Sequence, residues 1–281
     1  MGKLTLIADS GSTKTVWCLL DGKKKKTILT QGISPYFLSV NEIKSIIELE
    51  LITKLKGAVP SAIYYYGTGC ANINNAKSVK TALKKAFPKS AVSVESDLMG
   101  AAKALCGKDK GVACILGTGS NSCFFNGKKI IKNSPGIGFI LGDEGSGSYM
   151  GKKVIQHFLY NTFDPDLMDR FNAKYNTNAV EILEAVYKKP LPNRYLANFA
   201  GFLAENRGHY MIENIIEDSF NDFFFNHLYK YRESWTMPIH FVGSVAYGFR
   251  DVLKQMCHTY EIKLGNIQKN PMDGLVKYHS S

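Results

Sequence analysis

None of the six cysteines (Cys18, Cys70, Cys106, Cys114, Cys123, Cys257) forms a C-x-x-C pair or a metal-finger spacing. The six histidines contain no H-E-x-x-H or other metal-binding pattern. These absences remove zinc-finger and disulfide-framework readings. No apolar run approaches the roughly 20 residues that a membrane helix needs. No short period repeats and no tract is of low complexity, which excludes a solenoid. The N-terminus, MGKLTLIADSG, reaches its first loop motif within ten residues and leaves no room for a signal peptide. The expectation is a cytoplasmic protein in which Cys18, Cys114 and Cys123 serve as small buried hydrophobes in strands.

What is present is an ordinary globular composition, 45% hydrophobic and 21% charged over 281 residues. That length suffices for two domains that bury roughly three quarters of the unfolded surface. The excess of basic over acidic residues is 35 − 24 = +11. The lysines are scattered over helix faces and turns, the densest run (Lys23 to Lys26) lying in a hairpin. A nucleic-acid or membrane partner is therefore not expected.

The chain punctuates two hydrophobic strands in the same way about a hundred residues apart. Leu4 to Ala8 runs into DSGSTKT (Asp9 to Thr15), then a strand Val16 to Leu20, an Asp21-Gly22 turn and a strand Thr27 to Leu29. Val112 to Leu116 runs into GTGSNS (Gly117 to Ser122), then Cys123 to Phe125, an Asn126-Gly127 turn and Lys129 to Ile131. Asp-Gly and Asn-Gly favour two-residue hairpin turns. Glycines let backbone N–H groups converge on an anion, and the hydroxyls add donors. Two such loops facing one another would grip a polyphosphate. DSGSTKT is not a Walker A loop, which leads into a helix. Asp9, at the end of a buried strand, is placed to hold Mg²⁺ through water; a tight turn in which Asp9 accepts local N–H bonds is the plainer alternative.

Between the copies, Ser39-Val40-Asn41-Glu42 has the form of a capping box followed by a helical apolar stripe. A strand Ala62 to Tyr66 ends in Gly67-Thr68-Gly69. A helix (Ala76 to Phe87) and a strand (Val92 to Glu95) follow, and Asp97 opens a helix, Leu98 to Leu105. The boundary belongs near Gly107 to Gly111, giving domains 1–107 and 108–281. From Ser146 to about Tyr231 the chain is mostly helical, with candidates at Tyr149 to Tyr160, Ala179 to Tyr187, Tyr195 to Glu205 and Tyr210 to Tyr231. A strand Ile239 to Val242 breaks at Gly243-Ser244-Val245-Ala246 before a helix, Tyr247 to His258, and Pro271 starts a last short helix.

Three further segments carry candidate chemistry. In the second loop Thr118 can donate to a phosphate, and Ser120 and Asn121 to a neighbouring ligand. SPGIGFILGDEGSGSYMG (Ser134 to Gly151) has more glycines than helix entry requires. Gly136 and Gly138 would expose backbone groups to a ligand, and Asp143 and Glu144 precede a helix N-terminus that favours carboxylates. Asp97 reads either as a helix cap or as a general base for a hydroxyl under phosphorylation, and the residues alone do not separate the two.

In this order, the duplicated strand-loop-hairpin units, DSGSTKT, GTGSN, the GDEGS segment and the late glycine-small motif resemble the actin-like ATPase domain superfamily. Within it the chain is similar, over essentially its whole length, to the branch that unites N-acetylglucosamine kinases with BadF/BadG-type ATPases. The resemblance implies an α/β fold of two ribonuclease-H-like domains with a cleft between them, the second enlarged by helices. It implies ATP and Mg²⁺, an amino-sugar substrate phosphorylated at its 6-hydroxyl, and room for a homodimer. Asp9, Gly11, Ser12, Thr13 and Lys14 would form the first phosphate loop, with Asp9 near Mg²⁺. Thr118 would contact ATP, and Gly243, Ser244 and Ala246 the adenosine. Ser120, Asn121, Gly136, Ile137, Gly138 and Asp143 would hold the sugar, and Asp97 would be the catalytic base. Where such kinases usually present a substrate-binding asparagine, this chain has Gly32-Ile33-Ser34-Pro35-Tyr36. Alternatives are glucosamine kinase, and an activator ATPase that would hold an iron–sulfur cluster on Cys106 with Cys114 or Cys123.

Overall fold

A computed structural model describes residues 4–11 and 13–280. Ser12, expected in the first phosphate loop, lies outside the described residues. The chain forms two units: Met1–Asp109 with Gly127–Lys129 and Asn270–Ser281, and Lys110–Asn126 with Ile130–Lys269. The sequence division at 107/108 assigns the C-terminus to the second unit, whereas Asn270–Ser281 belong to the first.

In the first unit, strands β1 (Thr5–Ser10), β2 (Lys14–Asp21), β3 (Lys24–Gln31), β4 (Ala62–Gly67) and β5 (Ala91–Ser96) make one sheet in the order β3-β2-β1-β4-β5. The first three strands form an antiparallel meander, and β4 and β5 add in parallel. A central strand covered on both faces is apolar throughout rather than alternating. β1 accordingly buries Leu6 and Ala8 toward Ile43, Ile47, Val79 and Leu83 on one face. On the other it buries Ile7 toward Ala104, Met272, Leu275 and Val276. The second face is closed by the helices Asp97–Cys106 and Met272–Ser280. Their axes come so near that a Cβ on Gly274 would stand 2.3 Å from the Ala104 carbonyl oxygen.

The capping box at Ser39 forms as expected, Glu42 N–H bonding Ser39 Oγ at 3.3 Å while Ser39 N–H bonds Glu42 Oε2 at 2.7 Å. The first hairpin turn differs by one residue: Asp21 pairs with Lys24, so the loop is Gly22-Lys23, and only Gly22 needs positive φ (56°).

The second unit repeats the plan. Strands β6 (Gly111–Leu116), β7 (Ser120–Phe125), β8 (Ile130–Ser134), β9 (Ile239–Val242) and β10 (Leu264–Gln268) stand in the order β10-β9-β6-β7-β8. Read from the meander edge this is β8-β7-β6-β9-β10, the same succession as in the first unit. Between β8 and β9 lies the helical insertion, which includes Gly147–Leu159, Pro165–Tyr175 and Tyr210–Phe223. It packs a core rich in phenylalanine (Phe163, Phe171, Phe199, Phe202, Phe220, Phe223). The aromatic run Phe220 to Phe225 is core at Phe220, Phe223 and Phe224.

β10 is absent from the sequence expectation because Gly and Asn are depleted in strands. Gly265 is there because the His240 ring occupies the space: a Cβ would lie 2.4 Å from Nδ1. Asn266 N–H donates to that same nitrogen at 3.0 Å. The expected helix Tyr195 to Glu205 divides at Phe199, and that from Tyr247 divides at Phe249.

Candidate active site

In the first unit, β1 and β2 pair as far as Ser10 and Thr15, whose hydroxyls lie 2.7 Å apart. The phosphate-loop candidate is therefore the tip of a hairpin, closed by Gly11 N–H on the Lys14 carbonyl at 3.0 Å. Gly11 and Lys14 are exposed, and Thr13 is half-buried. Asp9, one residue before the tip, pairs in register with Tyr66 of β4. Asp97 begins its helix directly after β5.

Capping does not explain Asp97. Ser96 is the N-cap, its Oγ accepting from Met99 N–H at 3.2 Å. Asp97, half-buried at the helix start, instead accepts from Leu98 N–H at 2.8 Å. Burial raises its pKa, against bonds from the Leu98 and Asp97 N–H groups and the Thr68 side chain that lower it. Burial likewise lifts Asp9 to about 7, the Asp97 charge adds to the rise, and Lys14 opposes it. Two desolvated carboxylates in one another's field are costly when both are ionised. A divalent cation relieves that repulsion, so the pair fits Mg²⁺, which binds through one or two carboxylates and retains water. No cluster of three or more acidic, His or Cys ligands occurs among the described residues.

Sequence alone gives Thr68 no role. Its loop, held by Thr68 N–H on the Ser10 carbonyl at 2.9 Å, brings a hydroxyl to Asp97. The signal was present: Gly67-Thr68-Gly69 repeats the Gly117-Thr118-Gly119 of the second copy.

In the second unit, Gly117, Thr118 and Gly119 connect β6 to β7. Thr118 is exposed. The loop's carbonyls are tied down from behind, Gly117 O by Gly147 N–H at 2.8 Å and Thr118 O by Ser148 N–H at 3.0 Å. Gly243, with φ 134°, lies against the same turn: a Cβ there would stand 2.1 Å from Leu116 O. The candidate adenosine motif and the candidate second phosphate loop are thus neighbours. Ser244 is exposed beside them, while Ala246 is fully buried and supports the turn from the core.

The sugar candidates also converge. A Cβ on Gly136 would meet Ser120 O at 2.5 Å, and one on Gly119 would meet Asp143 Oδ2 at 2.9 Å. Asp143 is buried at positive φ (59°) and accepts from Ser120 N–H at 3.4 Å. A buried non-glycine residue in that region stores strain of the kind that collects at ligand sites. Burial raises its pKa; the Ser120 bond lowers it, Glu144 raises it, and His227 and Lys152 lower it. Capping of the next helix falls to Ser146, whose Oγ accepts from Tyr149 N–H at 3.2 Å. Ser120 Oγ is buried without a protein partner, a donor held for something else. Asn121 Oδ1 is taken by Ser122 N–H and Asn133 Nδ2, each at 2.9 Å, so its amide N–H₂ is what it can offer a ligand. Ile137 and Gly138 begin a short helix, Gly138–Leu141, with Ile137 exposed.

No family model matches the chain, and no curated protein matches it. Solved structures do. A Porphyromonas gingivalis protein described as a candidate N-acetylglucosamine kinase is 38% identical over 98% of each chain, with a TM-score of 0.94. A Chromobacterium violaceum protein described in the same way is 16% identical over 99% of each chain, TM-score 0.78. A ROK family glucokinase from Streptomyces griseus, in complex with glucose and AMPPNP, is 14% identical over 98% of this chain and 97% of its own, TM-score 0.55. The last two share the fold. On the strength of the first, this chain belongs to the N-acetylglucosamine kinase family.

Proposed function

We propose that the protein is an ATP-dependent kinase that phosphorylates the 6-hydroxyl of an amino sugar, N-acetylglucosamine first and glucosamine second, in the cytoplasm. The observation that carries this is Asp97: a desolvated carboxyl at a strand end, released from capping by Ser96 and held by Leu98 N–H. A general base needs such a carboxyl within reach of the attacking hydroxyl. In this reading Asp97 takes the proton as the sugar oxygen forms its bond to the γ-phosphorus and the bond to ADP breaks. The raised pKa makes Asp97 a stronger base than an exposed aspartate, and Thr68 keeps the carboxyl oriented.

Lys14 and the N–H groups of the hairpin tip serve the phosphates from the first unit, Thr118 and the Gly117–Gly119 backbone from the second. Asp9 would hold Mg²⁺ through water; the ion supplies charge neutralisation to the phosphates when bound. Asp143 accepts sugar hydroxyls, Ser120 Oγ and the Asn121 amide donate to them, and Gly136 and Gly138 admit the sugar close to backbone. Positioning and charge neutralisation supply most of the acceleration in phosphoryl transfer. The activator-ATPase reading is disfavoured because Cys106, Cys114 and Cys123 are all buried. The same burial raises the Cys106 thiol to about 12, away from the thiolate a cluster requires.

An ADP-release screen across hexoses and N-acetylhexosamines, run beside Asp97→Asn, tests the proposal. Turnover with an amino sugar and its loss in Asp97→Asn are expected. Undiminished turnover in the variant would remove Asp97 as the base.

A further inference from the structure

The loop from Ser134 to Glu144 carries Gly136, Ile137, Gly138 and Asp143, and both of its ends are tied to one short stretch of the helical insertion. At its start, Ser134 Oγ donates to Asn226 O at 3.2 Å, and Ser134 N–H donates to the Tyr231 hydroxyl. At its end, Glu144 Oε2 accepts from His227 Nε2 at 3.2 Å and Oε1 accepts from Asn226 Nδ2 at 3.4 Å. Between these anchors Ile140 and Leu141 are each about three quarters exposed, at 74% and 75%.

The stretch that holds both ends is a π-helical turn, Phe224–Leu228, continuing the helix Tyr210–Phe223. Single π turns inside helices gather at functional sites because they re-aim side chains. Here the turn presents Asn226 and His227 to Glu144. The His227 ring stacks on Phe223 at 4.7 Å, and its Nδ1 is buried without a partner. In that contact an ionised carboxylate can only accept, which makes Nε2 the donor of the pair. A buried unpaired Nδ1 carries a desolvation cost that a purely structural position could avoid with an apolar residue. Both Glu144 carboxylate oxygens are engaged by this frame.

We infer that Glu144 and His227 are positioning residues for the sugar-binding carboxylate: His227 holds Glu144, and Glu144 fixes the strained backbone that turns Asp143 toward Ser120. The amino-sugar substrate rests on the kinase reading; the clamp does not. The groups that face Asp143 are the Ser120 N–H from β7, Glu144 beside it, His227 from the π turn and Lys152 from the helix Gly147–Leu159. Glu144 also acts on Tyr149, whose hydroxyl bonds Asp222 Oδ2 at 2.6 Å.

The test compares the wild-type protein with Glu144→Gln, which removes the charge but keeps an acceptor, and His227→Phe, which keeps the stacking and volume but deletes the donor. In kinase assays both raise the KM for N-acetylglucosamine by about tenfold, as small misplacements do, and leave the KM for ATP within about twofold. The Asp143 titration, followed by carboxyl ¹³C NMR and assigned with Asp143→Asn, moves to lower pH in Glu144→Gln, where a like charge is gone, and to higher pH in His227→Phe. The NMR arm needs no turnover, so it stands even where no sugar releases ADP, an outcome that would sink the kinase reading alone. Folded variants in which the Asp143 titration does not move, or equal rises in both KM values, would overturn the inference. A variant that fails to fold is replaced by His227→Gln, which restores a donor and is expected to recover the wild-type KM for N-acetylglucosamine.

Discussion

The two units are the same sheet carrying different chemistry. β1 and β6 each pair antiparallel with the following strand and parallel with a later one. Counting from the last paired residues, Ser10 opposite Thr15 and Leu116 opposite Ser120, Asp9 of the first unit stands where Ile115 stands in the second. The first loop brings Asp9 and Lys14 to its hairpin and Asp97 to the neighbouring strand end; the second brings only glycines, hydroxyls and an amide. The carboxylate beside Ser120, Asp143, arrives from the connection between β8 and β9. On the proposed reading, a duplicated backbone would separate two tasks, metal and proton in one copy and hydroxyl recognition in the other.

The sharpest way to break that division is to remove one member of each half and compare kinetics. Asp97→Asn should lower kcat by about 10²–10⁴, the usual worth of a general base, with little change in the KM for sugar. Ser120→Ala should instead raise the KM for sugar by about tenfold, the scale of one hydrogen bond of roughly 1.4 kcal/mol, with kcat changed less. Steady-state ADP release measures both. Similar kinetic signatures from the two variants would mean that the halves do not divide the work.

The division was partly legible in the chain. The repeated strand-loop-hairpin announced two sheets, and Asp9, Thr118 and Gly243 stand out because glycines and hydroxyls at strand ends have few structural uses. Other features depend on partners distant in sequence. Gly265 and Asn266 become a strand only because His240 fills the space a side chain would take. Thr68 acquires meaning from Asp97, and Glu144 from His227, 83 positions away. Capping rules could not decide Asp97 because Ser96, one residue earlier, competes for the same role, and only geometry shows which side chain turns back to the helix. The C-terminal helix is readable as a helix, yet nothing local says which sheet it covers.

That helix sharpens the comparison in stability, because it supports the charged copy alone. Gly274→Val would drive a side chain into the Ala104 carbonyl, which a Cβ would already approach to 2.3 Å. Overpacking of this kind costs about 1–3 kcal/mol. The strain falls on the helix that Asp97 begins, so hydrogen exchange should rise across Leu6–Ala8 and Leu98–Cys106 while Val112–Leu116 keeps its protection. A uniform loss through both units would show that they unfold as one.

The smallest expected effect is a pH trend that only the charged copy should display. Asp9 has its folded pKa raised to about 7 from 3.8. Between pH 5 and 8 the unfolded chain has already lost that proton while the folded protein holds it at the acid end. The native state then binds more protons than the unfolded state, and stability must fall as pH rises through this window. Without nucleotide or metal, the melting temperature of the first unit should decline by a few degrees from pH 5 to pH 8. Asp9→Asn should weaken the slope without removing it, since Asp97 is raised as well. Mg²⁺ with ADP, binding the ionised form, should restore stability most at the alkaline end. A melting temperature that rises over the same window would mean that the two carboxylates are not desolvated together, and the first unit would lose the feature that sets it apart from the second.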